Sequence, residues 1–152
     1  MYFYGRATYL AARPLLERAL AIREKVLGPE HADTAASNNN LAFLLQAQGD
    51  LAEARPLYER ALAIWEKTLG GEHPITNRGR RNLARLLLAM QQPAEALALG
   101  ETALAGHEKV LGSNHAWTKG SASTTVDALE ALGHSDEASA LRARYSIGGT
   151  SL

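Results

Sequence analysis

Three histidines, His31, His73 and His115, recur at an interval of 42 residues, and imidazole is both a common metal ligand and a proton carrier. Ligands to one metal must converge within roughly 2 Å of it. Equivalent positions of stacked units lie on the order of 20 Å apart, twice the spacing of packed helix axes. The three histidines therefore cannot share an ion. Each follows a Leu-Gly step (Leu27-Gly28, Leu69-Gly70, Leu111-Gly112) and precedes a threonine three residues on, Thr34, Thr76 or Thr118. Glycine after the last periodic leucine stops one helix, and the histidine is expected to help start the next. His107 and His134 stand alone and are assigned to the surface. No glycine-rich phosphate loop, HExxH pair or serine on a strand-to-helix turn occurs. Glu24, Glu66 and Glu108 each precede a lysine and read as solvated helix faces. The expectation is a protein that is not an enzyme and holds no metal or cofactor.

A second set of residues has a clearer chemistry. Between Thr76 and Gln91 the chain carries Arg78, Arg80, Arg81 and Arg85 and no acid. On a helix, Arg78, Arg81 and Arg85 share one face. The planar guanidinium binds carboxylates through paired hydrogen bonds, so such a face would take an acidic peptide or a C-terminal carboxylate. The alternative is that these arginines are solvated, or pair internally with Asp33, Asp127 or Glu130.

The elements that position these residues come from a repeat. Ala19–Arg60 recurs in register as Ala61–Thr102, with 22 of 42 positions identical, and again, more degraded, as Ala103–Arg144. Fixed-period self-similarity marks a stacked-repeat architecture. Apolar residues at helical spacing and turn signals at Gly49-Asp50, Gln91-Gln92-Pro93 and Gly133-His134 give two helices per unit. One set covers about 32–48, 74–90 and 116–132; the other covers about 51–69, 93–111 and 135–145. Residues 7–27 match the second helix of a unit, so the chain opens in mid-unit and suggests a piece of a longer protein. Pro14 is expected in the first turns of that helix. The third copy departs from the pattern: Gly100 replaces Leu16 and Tyr58, and Gly106 replaces Ile22 and Ile64. A packing side chain is missing at each, and Trp117 is expected to fill part of the gap. Ser139, Arg142 and Arg144 make the last helix polar, as a capping helix must be.

Leu41-Ala42-x-x-Leu45 followed by Ala54, Tyr58 and Ala61 resembles the packing pattern of the tetratricopeptide repeat, and ALAIxEKxLGxxHxxT resembles its 42-residue kinesin-light-chain form. The resemblance implies an all-α, right-handed superhelical solenoid of antiparallel helix pairs over residues 1–145. Its helix pairs would span 31–69, 73–111 and 115–145, with a flexible tail at 146–152. It also implies a concave groove lined by the first helix of each unit. Carried over position by position, the first unit presents Ala36, Asn39, Asn40 and Phe43. The second presents Arg78, Arg81, Asn82 and Arg85, and the third Gly120, Ser123, Thr124 and Asp127. In the family, asparagines at the positions of Asn40 and Asn82 hold a peptide backbone; Thr124 departs from that.

The implied function is a protein–protein interaction scaffold that binds an extended acidic peptide. Self-association is the second possibility, because the stripe Leu16, Leu20 and Leu27 would face water unless Tyr2, Phe3 and Tyr4 or another copy covered it. Lys plus Arg and Asp plus Glu are both 16, and no aromatic platform accompanies the arginines, so nucleic acid is not an expected partner. No apolar run reaches the eighteen or so residues of a membrane span. The absence of cysteine fits a reducing cytoplasmic setting.

Overall fold

Three of the helices are capped by a histidine side chain. The Nδ1 atoms of His31, His73 and His115 accept hydrogen bonds from the backbone N–H of Asp33, Ile75 and Trp117 at 3.0, 3.1 and 3.0 Å. Each histidine sits in extended backbone directly before a helix, where one of the helix's unpaired N–H groups needs an acceptor. Among the described residues no group of side chains is arranged to hold a metal ion.

The computed structural model describes residues 2–147, with side chains from residue 8 onward. Seven helices and no strands form among them: α1 (Tyr2–Val26), α2 (Ala32–Ala47), α3 (Leu51–Thr68), α4 (Pro74–Ala89), α5 (Pro93–Leu111), α6 (Ala116–Ala131) and α7 (Ser135–Tyr145). The chain divides into two compact units, Met1–Gly70 and Gly71–Leu152. None of the helices is long and apolar enough to cross a membrane.

In the first unit α2 packs against both α1 and α3. Ala35, Ala42, Ala54 and Ala61 are fully or almost fully buried, and their small side chains let the helices approach. Leu41, Leu45, Tyr58, Leu62, Ile64 and Trp65 fill the space between them. The Tyr58 hydroxyl donates to Gln46 Oε1 at 2.8 Å, and the Trp65 indole donates to the Ala32 carbonyl at 3.3 Å. Both polar tips are thereby satisfied where burial would otherwise penalise them.

Two expectations for α1 need correction. Pro14 lies in the middle of the helix, not in its first turns, because residues 2–10 continue the helix upstream. The apolar stripe is also turned differently. Leu20 is buried and Leu16 half-buried on the side that meets α2. Leu15, Ile22 and Val26, which share another face, are 68%, 52% and 72% exposed. Cover from Tyr2, Phe3 and Tyr4 lies outside the described side chains.

In the second unit α4 packs on α5, α5 on α6, α6 on α7, and α4 also meets α6. The turn between α4 and α5 is made without glycine. Gln91 has φ 62°, where Gly49 and Gly133 have 87° and 82° at the equivalent positions. The following N–H closes the same bond in all three turns, to the carbonyl of Leu45, Leu87 or Leu129, each at 2.8 Å.

The two glycines of α5 do not leave gaps. A Cβ on Gly100 would lie 2.8 Å from Thr125 Oγ1, and one on Gly106 would overlap the Asn77 amide. Asn77 occupies the repeat position of Ala35 and Gly106 that of Ile64. A small-large pair has become a large-small pair. The atoms nearest the two glycines belong to Thr125 and Asn77, while Trp117 makes ring contacts with His107 and His115. At the end of α7, Ile147 packs half-buried on Leu104, Ala122 and Tyr145. Of the expected tail, residues 148–152 lie outside the described residues.

Candidate peptide-binding face

The first-helix residues fall on α2 in the first unit and on α4 and α6 in the second. On α2, Phe43 is 65% exposed, Asn40 is exposed, and Ala36 and Asn39 are half-buried. On α4, Arg78 and Arg85 are exposed, whereas Arg81 and Asn82 are half-buried. On α6, Ser123 and Asp127 are exposed and Gly120 half-buried. Thr124 differs from the groove expectation. It is only 4% exposed and its hydroxyl donates to the Gly120 carbonyl at 3.1 Å, so it lies beneath the face instead of on it.

Arg81 is the centre of the second unit's face. Gly120 allows its guanidinium to lie on α6: an added Cβ there would stand 3.1 Å from Arg81 Cζ, 3.2 Å from Nη1 and 3.3 Å from Nε. Arg81 Nε is buried and has no hydrogen-bond partner among the described residues. Burial, then the neighbouring charges of Arg85 and Arg78, hold the guanidinium below its ordinary range. Among the described residues no carboxylate forms an ion pair within 4.0 Å of Arg78, Arg81 or Arg85. A cation desolvated between two others, with one donor unpaired, is stabilised by an anion.

The neighbouring arginines have different settings. Arg78 lies over the Trp117 ring, 5.1 Å from its centroid, a cation–π contact that orients it. Arg85 acts on the Asp127 carboxyl. Burial pushes that carboxyl up even though much of the residue reaches solvent, and Arg85 and then Arg142 pull it back. Arg80 is directed away from this face. Its Nη1 donates to the Gly71 carbonyl and to Asn77 Oδ1, both at 2.6 Å. Of the internal partners considered for the arginines, Glu130 is bonded to Arg142.

His107 was assigned to the surface, and it is fully buried. Its Nε2 lies 3.0 Å from the Pro74 carbonyl and its Nδ1 2.8 Å from Ser121 Oγ. A carbonyl only accepts, so Nε2 carries the proton and the serine hydroxyl donates to Nδ1. The ring thereby ties α5 to both α4 and α6. It also stands 6.0 Å from Trp117, the platform of Arg78. The signal was present in the repeat. Arg23, Trp65 and His107 occupy one repeat position. Trp65 donates to Ala32 as His107 does to Pro74, and Arg23 reaches Ser37 Oγ at 2.9 Å as His107 reaches Ser121.

Comparison with known proteins places this geometry. Family models described as tetratricopeptide repeat match residues 33–109 and 76–142, and a further one matches residues 1–33. Two crystal structures of TPR-like repeats of kinesin-light-chain type from Podosopora anserina, one a point variant, are each 35% identical over 93% of this chain. Their TM-scores are 0.78 and 0.76, and the chain spans 66% and 67% of their lengths. BtubC (BKLC) from P. vanneervenii shares the fold with a TM-score of 0.85 at 21% identity, covering 92% of this chain and 56% of that one. No curated protein matches.

Proposed function

The chain belongs to the tetratricopeptide repeat family, in its kinesin-light-chain-like form, and from that premise we propose that its first-helix face captures an extended acidic segment of a partner protein. This family builds scaffolds for protein–protein interaction, and the role proposed is binding, not catalysis. The observation that carries the acidic specificity is Arg81: half-buried, its Nε unpaired, flanked by Arg78 and Arg85. A carboxylate would accept from the exposed guanidinium donors of Arg78 and Arg85 and relieve the mutual repulsion of the three cations. Asn82, on the same helix as the arginines, would supply a backbone hydrogen bond to that segment, while Asn39, Asn40 and Phe43 on α2 would form a contact face of the first unit by itself. Asp127 would set the limit of the acidic stretch.

The test is anisotropy of a fluorescein-labelled, glutamate-rich peptide against the wild type and the variants Arg81→Glu and Arg85→Glu. Binding should vanish in both variants while far-ultraviolet circular dichroism stays the same. Unchanged affinity in the variants would refute the reading. Binding should also weaken as salt rises, because exposed charges are screened over about 8–10 Å at moderate ionic strength.

Self-association is a second reading, supported by the α1 face of Leu15, Ile22 and Val26. In α3 the residue equivalent to Ile22 is Ile64, and it is buried. Light scattering would show a dimer that Ile22→Asp converts to monomer; a monomer at every concentration would dismiss it.

A further inference from the structure

Arg13 shows how this repeat holds a cation. Its Nε donates to Glu17 Oε1 at 3.1 Å, its Nη2 donates to Glu53 Oε2 at 3.1 Å, and its Nη1 stands 3.8 Å from Asp50 Oδ2. One guanidinium thus joins α1 to α3, the helices that carry matching repeat positions. One period on, Arg55 again pairs with the glutamate four residues later, its Nε 3.5 Å from Glu59 Oε2.

Two periods on, the carboxylates remain and the arginine is gone. Glu101 stands at the position of Glu17 and Glu137 at that of Glu53, while Leu97 replaces Arg13 and His134 replaces Asp50. Leu97 turns inward and packs on Val126, Leu129 and Ala138. Glu101 and Glu137 line a cavity of about 290 Å³ together with Leu104, Leu129, Leu141 and Tyr145. A third acid there, Glu108, is already matched by Arg144 at 2.9 Å. Among the described residues Glu101 has no ion pair. Glu137 Oε1 lies 3.7 Å from His134 Nδ1, a partner that is charged only when protonated.

We propose that this notch between α5 and α7 takes an arginine side chain from a partner protein. The guanidinium would bridge Glu101 and Glu137, as Arg13 bridges Glu17 and Glu53 within the chain. Its methylene stem would lie on Leu104, Leu129 and Leu141, since long cationic side chains cover apolar surface while the charged head stays outside. Arginine is favoured over lysine because two carboxylates on separate helices need donors that diverge from one planar group. The site involves opposite charge and different residues from the arginine face on α4, and neither depends on the other.

The experiment is an NMR titration of isotope-labelled protein with N-acetyl-arginine amide. N-acetyl-citrulline amide serves as the uncharged isostere and N-acetyl-lysine amide as the compact cation. Saturable shifts are expected with arginine at amides around Glu101, Glu108, Glu137 and Leu141, with smaller shifts for lysine and none for citrulline. The doubly substituted Glu101→Gln, Glu137→Gln protein should fold, because both side chains are exposed, and should lose the shifts. Arg81→Glu should retain them. Absence of saturation, equal shifts with citrulline, or shifts that survive in the double glutamine variant would each overturn the proposal.

Discussion

The side-chain amide of Asn77 occupies the space that a Cβ on residue 106 would need. Asn77 is held there from both ends: its Nδ2 donates to the Glu72 carbonyl at 3.4 Å and its Oδ1 accepts from Arg80. Gly106→Ala should therefore destabilise the protein by about 1–3 kcal/mol, against the gain of about 1 kcal/mol that alanine normally brings to a helix interior. Asn77→Ala combined with Gly106→Ile recreates the Ala35–Ile64 pair of the first unit. Urea denaturation should show coupling on the order of 1–3 kcal/mol between the two substitutions. Simple additivity would contradict the packing described.

His107 makes stability depend on acidity. Burial, first, and then the charges of Arg81 and His115, hold its pKa below the usual 6.5, against the opposing hydrogen bond to Pro74. A depressed folded-state pKa means the unfolded chain takes up the proton more readily. The stabilisation is then full above about pH 6.5 and is lost as pH falls towards the folded value. Urea midpoints should drop across that window in the wild type. In His107→Phe the drop should be smaller, although that variant starts less stable because it loses the side-chain bonds to the Pro74 carbonyl and to Ser121.

Gln91 holds a backbone conformation that costs a side-chain-bearing residue on the order of 1–2 kcal/mol. Gln91→Gly should raise the melting temperature, since glycine already serves the equivalent turns at Gly49 and Gly133. A lowered melting temperature would mean that the glutamine side chain contributes more than the turn costs.

Asp127 stands on the proposed binding face as an internal competitor for Arg85. Asp127→Asn should tighten binding of the glutamate-rich peptide by about two- to fivefold, the scale of a partly exposed charge pair. Its carboxyl is held up by burial, so removing the charge should also raise stability slightly at neutral pH. Weaker peptide binding in this variant would show that Asp127 contacts the ligand favourably.

The sequence was legible wherever one residue decides a local conformation. Helix limits followed from the Leu-Gly steps and the histidine caps, and the observed boundaries differ from the expected ones by about a residue in α2 to α7. It was less legible where a side chain's setting depends on a residue far along the chain. His107 looked like a stray polar residue because its partners, Pro74 and Ser121, are 33 and 14 positions away. Gly106 looked like a defect because its compensating residue lies in another helix. Thr124 was placed on the groove by position, yet its hydroxyl bonds back to its own helix and the residue lies underneath. The arginine face was readable from spacing alone. That Arg81 lies flat on α6 depended on Gly120, whose importance appears only once the two helices are packed.

The chain has two tryptophans, and they fall one to each compact unit: Trp65 in Met1–Gly70 and Trp117 in Gly71–Leu152. The buried Trp65 indole is tied to a carbonyl, whereas the half-buried Trp117 ring lies beneath Arg78. Replacing either with phenylalanine leaves a single tryptophan, which can be excited selectively over the five tyrosines and reports on one half of the protein. Emission from Trp117 alone would then follow ligand arrival at the arginines without any attached dye, and emission from Trp65 would reveal whether the other half melts in step.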